Sequence, residues 1–120
     1  MNVFRPGDLL RDYLFIDDAV RVFLNAGAKA DQLGGRHFVV GSGQGRTLVD
    51  AFKTVADLVA RKMGKTVPVN EVDPPQDLPS IDFRNFVANP KAFMQLTGWR
   101  PMVGFEEGID LTINSFLDGT

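Results

Sequence analysis

Short apolar runs alternate with stretches of helical periodicity along this chain, and that alternation narrows its fold to the α/β class. The clearest helix covers residues 48 to 63. Leu48, Phe52, Val55, Val59 and Met63 recur at spacings of three and four, which lines them along one face. Thr47 stands where a hydroxyl can accept from the first turn, and Gly64 offers the left-handed residue that ends a helix. Ahead of it, His37-Phe38-Val39-Val40 is a short β-branched and aromatic run, read as a buried strand. Residues 12 to 16 read as another strand. Asp17 and Asp18 then supply acceptors and negative charge at the start of a helix whose apolar face is Ala19, Val22, Phe23 and Ala26. Residues 67 to 72 read as a third strand, with Pro68 placing it at an edge. Pro90 opens a short helix through Leu96, and a last helix follows Gly104 with Phe105, Ile109, Ile113 and Phe116 on one face. The expected architecture is a small three-stranded, mostly parallel sheet with about four helices, in a single domain over residues 1–120. A sheet that small leaves apolar faces that call for cover by a partner.

Composition removes several classes of function. Hydrophobic residues make up 44% of the chain, enough for a core, and disorder is not expected. Thirteen basic and fifteen acidic residues are interspersed with no run longer than two, so the basic stripe of a nucleic-acid binder is missing. With no cysteine there can be no disulfide, thiolate metal site or cysteine nucleophile. His, Asp and Glu show no metal-ligand spacing. No apolar stretch approaches a membrane span, and the first residues do not read as a targeting segment. A cytoplasmic protein with no membrane partner is expected.

The glycine-rich segment Gly41-Ser42-Gly43-Gln44-Gly45 lies between a strand signal and a helix, as a cofactor loop would. Its spacing fails. The dinucleotide fingerprint needs G-x-G-x-x-G, and position 46 is arginine; the phosphate loop needs Lys-Ser/Thr, and the pair here is Arg46-Thr47. The segment reads as a strand-to-helix turn capped by Thr47, with a helix start that could attract an anion. His37, the sole histidine, reads as structural. Trp99 reads as a packing anchor at a helix end. Arg11 leaves two readings open. At a strand end its planar fork suits a diphosphate, and beside Asp12 and Asp18 it suits a salt bridge. Asp82 and Arg84 lie beyond a proline-rich loop, a location that often carries function.

Five segments taken in order point further. Arg11-Asp12-Tyr13-Leu14-Phe15-Ile16-Asp17-Asp18 resembles the R-D-[YF]-hydrophobic-[YFH]-[VI]-x-D motif of extended short-chain dehydrogenase/reductases, the family of nucleotide-sugar epimerases and dehydratases. His37 to Gly43 resembles that family's "f-n-[VI]-G-[ST]-G" strand and turn, and Phe86 to Ala92 its "[YV]-x-D-x-[ST]-K" segment. Leu96 to Pro101 resembles "L-G-W-x-P", and Phe105 to Ile109 resembles "[LF]-E-E-G-[LI]". The resemblance implies the family's C-terminal, nucleotide-sugar-binding part. It implies no cofactor site in this chain, with NAD(P) and the catalytic Tyr-x-x-x-Lys on a Rossmann domain outside it. The only tyrosine is Tyr13, and four residues on stands Asp17. By resemblance Arg11 contacts the diphosphate of a UDP-, dTDP- or GDP-linked sugar, with Arg84 and Asp82 closing over the nucleotide. No catalytic residue and no metal ligand is expected, and the chain alone should be inactive. Asn89 stands where the family usually has aspartate, and no clear R-x-G-D segment precedes it. These departures fit a second expectation, a non-catalytic scaffold or interaction module that keeps the fold. The missing Rossmann domain, or a second copy in a homodimer, would cover the apolar faces.

Overall fold

A computed structural model describes residues 1–119. Four three-residue strands form two separate ladders. β1 (Asn2–Phe4) runs parallel to β4 (Asn70–Val72), pairing Val3 with Glu71. β2 (Leu10–Asp12) runs antiparallel to β3 (Gly45–Thr47), pairing Arg11 with Arg46. The helices are α1 (Ile16–Ala28), the single turn α2 (Ala30–Leu33), α3 (Leu48–Met63), α4 (Lys91–Thr97) and α5 (Phe105–Leu117). A 3-10 turn, Ser80–Phe83, interrupts the proline-rich loop.

The α/β class stands, but the single three-stranded sheet does not. His37–Val40 is not a strand. Phe38 and Val40 do turn inward against the core while Val39 is exposed, yet no strand among the described residues runs beside this segment to take its backbone bonds. Two strands went unseen. β1 is three residues long and is stopped by Arg5-Pro6, and β3 is hidden in the glycine segment. Residues 12 to 16 pair only as far as Asp12, because α1 begins at Ile16.

α3 forms as its periodicity requires. Thr47 Oγ1 accepts from the Asp50 amide at 3.1 Å, and Gly64 closes the helix at φ 65°. Its buried Ala51, Ala56 and Leu58 belong to the face that packs toward β1, β3 and α5, and Lys62 reaches Asp110 of α5 at 2.8 Å. The main core lies between α1, α2 and α4. Val22, Leu33, Phe93 and Trp99 are buried there, with Leu14, Ala26, Phe38, Val40, Met94 and Leu96 packed around them. The rings of Phe38 and Trp99 meet Phe93 nearly edge-on, at 5.7 and 5.9 Å. No helix among the described residues is long and apolar enough to cross a membrane.

Candidate functional site

Two carboxylates organise the surface that carries the candidate residues. Asp12 lies at the end of β2, where the glycine segment passes. One of its oxygens accepts from the Ser42 amide at 2.8 Å and the Ser42 hydroxyl at 2.5 Å; the other accepts from the amides of Gly43 and Ala88 at 2.9 and 3.1 Å. The glycines here serve close backbone approach and a left-handed turn. A Cβ on Gly41 would lie 2.6 Å from that of Ala88 and 2.7 Å from an Asp12 oxygen, and Gly43 holds φ 74°. Asp18 was expected to cap α1. Instead the N-cap position is Phe15, without a side-chain cap. The fully buried Asp18 carboxylate accepts from the amides of Met102 and Val103 at 3.0 Å and forms an ion pair with Arg21. Its backbone carbonyl accepts from Trp99 Nε1 at 3.1 Å, so Trp99 is the expected packing anchor.

Neither carboxylate pairs with Arg11. Its guanidinium donates to three backbone carbonyls: Asp82 and Arg84 at 2.6 Å each, and Leu10 at 2.9 Å. The three expected site residues thus meet, although about seventy positions separate them. Arg11 clasps the 3-10 turn, while the side chains of Asp82 and Arg84 stay exposed. The Leu10 amide donates to Asn85 Oδ1 at 2.8 Å and the Phe86 amide to the Leu10 carbonyl at 3.1 Å, which ties this loop to β2. Beside the clasp opens a pocket of about 270 Å³. Phe4, Leu9, Leu78 and Phe83 give it apolar walls, and Arg5, Arg11 and Asp82 complete its border. Sequence reasoning missed Phe4 and Phe83. The signal was available, since both are aromatic residues outside every helical stripe.

A second, more polar pocket of about 260 Å³ is lined by Tyr13, Ser42, Gln44, Arg46 and residues 101–105. The Tyr13 ring lies 5.2 Å from that of Phe105. Burial raises the Tyr13 pKa above its ordinary value, while the nearby Arg11 charge pulls it down in part. Arg46 was considered only as a failed phosphate-loop lysine, and nothing local in the sequence sets it opposite Arg11. His37 is exposed. Among the described residues no group of His, Asp and Glu could hold a metal ion.

No protein-family model matches the sequence. Individual proteins do. UDP-glucose 4-epimerase of Mycolicibacterium smegmatis is 33% identical over 115 residues, which are 96% of this chain and 34% of that protein. The chain's homologues are nucleotide-sugar epimerases and dehydratases of the extended short-chain dehydrogenase/reductase kind. It matches their C-terminal portion and spans about a third of the length of its relatives. The crystal structure of UDP-glucose 4-epimerase from Thermotoga maritima, solved with UDP-glucose, superposes with a TM-score of 0.74 at 27% identity, over 98% of this chain and 35% of that one. The dTDP-glucose 4,6-dehydratase of Bacillus anthracis, solved with NAD, shares the fold with a TM-score of 0.73 at 20% identity, over 98% and 34%.

Proposed function

We propose that this chain is the nucleotide-sugar-binding part of an NAD(P)-dependent epimerase or dehydratase, and that the pocket beside Arg11 receives the nucleotide. One observation carries the reading. Arg11 and the 82–84 turn, distant in sequence, converge on a pocket with two phenylalanines in its wall. Aromatic faces suit a nucleobase, since base stacking on a ring is favourable for any base. A guanidinium at the rim suits a diphosphate, to which its fork can donate twice. Arg84 and Asp82, exposed on the turn, would fold over the nucleotide. The kinship with an epimerase solved with UDP-glucose supports the same ligand class, whether UDP-, dTDP- or GDP-linked. NAD(P) and the proton-abstracting tyrosine would belong to a Rossmann domain, and that domain would cover the exposed apolar faces.

A scaffold reading rests on a different observation. Three of the Arg11 donor contacts go to carbonyls, so a ligand must either share the fork or displace the turn. An amide NMR titration with UDP-glucose, with NAD as the control, separates the two. The nucleotide reading expects UDP-glucose to shift the amides of Phe4, Arg11, Phe83 and Arg84, and NAD to leave them in place. A well-dispersed spectrum that ignores UDP-glucose would sink it and leave the scaffold.

A further inference from the structure

The segment His37–Val40 presents an open backbone edge. Among the described residues, none of its amides or carbonyls takes part in a hydrogen bond. Its side chains still alternate as in a strand: Phe38 and Val40 pack inward, and Val39 is 55% exposed. Two left-handed glycines bound the run, Gly35 at φ 69° and Gly43 at φ 74°, and Val39 stands midway between them. A β-branched and aromatic run with unpaired backbone groups is a template for another strand. Edges meant to stay free are usually blunted by proline or charge, and residues 37 to 40 include no proline, lysine, arginine or acidic residue.

An apolar groove of about 440 Å³ adjoins this edge, with Leu14, Phe23, Phe38, Val40 and Phe93 in its lining. Phe38 and Val40 belong to both features. Their backbone forms the edge, and their side chains line the groove. A strand laid along the edge therefore lies beside the groove as well. The accessible surface gives the scale of the occupant. The chain exposes 8118 Å², where a folded monomer of its mass exposes roughly 6,400 Å². Each partner of a standard protein–protein interface buries about 800 Å², so the surplus is enough for a stable dimer.

We propose that this edge pairs with the same edge of a second copy of the chain, antiparallel about a two-fold axis at Val39. A two-fold contact uses one patch twice, and a strand edge is complementary to its own reverse. Centring on Val39 sets Phe38 opposite the partner's Val40. Residues opposed across an antiparallel pair share a face, so the inward side chains of both copies fall on one side and the two grooves adjoin. A slip of one residue would set the inward Phe38 against an outward valine. Centring on Phe38 would set Val40 against a charged arginine, residue 36. Centring on Val40 would set Phe38 against Ser42, which is already bound to Asp12. The proposal concerns the chain by itself and does not rest on the nucleotide reading.

Sedimentation velocity and amide hydrogen exchange by NMR, run on the full chain across a concentration series, test this. The amides of residues 38 to 40 should gain protection in step with the dimer fraction, by about tenfold or more over the monomer. In dimers assembled from labelled and unlabelled chain, isotope-filtered NMR should show Phe38 of one copy against Val40 of the other. Val39→Lys places two like charges at the axis and should weaken the dimer by about tenfold or more. Val39→Thr keeps a β-branched side chain there and should stay within about threefold of wild type. Val39 is exposed, so both variants should fold, which circular dichroism checks. A chain that stays monomeric at high concentration with these amides unprotected overturns the proposal and leaves the edge to another occupant, such as a strand of a Rossmann domain. A dimer in which these amides exchange as in the monomer, or one indifferent to Val39→Lys, also overturns it and puts the contact elsewhere. The UDP-glucose titration is scored separately, and none of these outcomes decides it.

Discussion

Asp12 and Asp18, six positions apart, hold together segments that are far apart in sequence. Asp12 fastens the glycine segment and residue 88 to the end of β2, and Asp18 fastens the 102–103 turn to the start of α1. The sequence placed both residues in a recognisable motif but misjudged what Asp18 does. A carboxylate at a helix start satisfies the local rule for a cap. Besides Arg21 one turn on, its partners are backbone amides more than eighty positions away, and no local rule can see those. Asp18→Asn should therefore cost far more than a lost cap. The amide would set an N–H against backbone donors or leave one of them unmet, and it would strand the Arg21 charge. About 3 kcal/mol is expected, the scale for breaking a buried charged pair from one side. Urea unfolding measures it, and a loss below about 1 kcal/mol, the size of a simple cap, would show that the cross-chain bonds contribute little. Gly41→Ala tests the other hub. The new methyl has nowhere to go between Ala88 and Asp12, so a loss of about 1–3 kcal/mol is expected, as for overpacking. A neutral result would mean that the loop yields more easily than its contacts suggest.

At the level of elements, legibility followed length. α3 was readable from end to end, because sixteen residues carry four turns of apolar spacing and both termini have their own signals in Thr47 and Gly64. α5 and α4 were readable for similar reasons, with Gly104 before the first and Gly98 after the second. Strands of three residues carry less than two periods of alternation, so β1 and β3 left no pattern to detect. His37–Val40 shows the opposite error. Its composition is that of a strand, and its inward and outward residues alternate as in a strand. Whether such a run becomes one depends on a neighbour, and sequence composition does not supply it. The candidate site divides the same way. Arg11, Asp82 and Arg84 were legible through motif and loop position. Phe4 and Phe83 join them only because β1 and the 3-10 turn bring them there.

The whole molecule is too open for its size. It measures 49 × 38 × 21 Å, and its radius of gyration is 17.0 Å, against about 14 Å for a compact domain of this length. Its accessible surface is 8118 Å², where a folded monomer of this mass exposes roughly 6,400 Å². The excess is about twice what one partner buries in a standard protein–protein interface. Much of it is apolar and concentrated on helices. On α1, Ile16, Val20, Phe23 and Leu24 are exposed, with Phe23 open to 77%; at the end of α5, Phe116 is open to 79%. The α1 residues continue the apolar arc of that helix: its Val22 edge serves the core, and the edge carrying Phe23, expected to be buried with Val22, is left open. An apolar arc this wide is expected to be covered along its whole width. When this chain is alone in solution, the only surface available to cover it is another copy, so it should self-associate. Sedimentation velocity across a concentration series should show the dimer fraction rising with concentration, and Phe23→Lys, which charges the centre of the exposed face of α1, should shift the population back to monomer. That variant removes an exposed side chain, so its fold should survive, and circular dichroism would check this. A wild-type chain that stays monomeric at high concentration would show that the open face is tolerated in water, and a dimer indifferent to Phe23→Lys would place the contact away from α1.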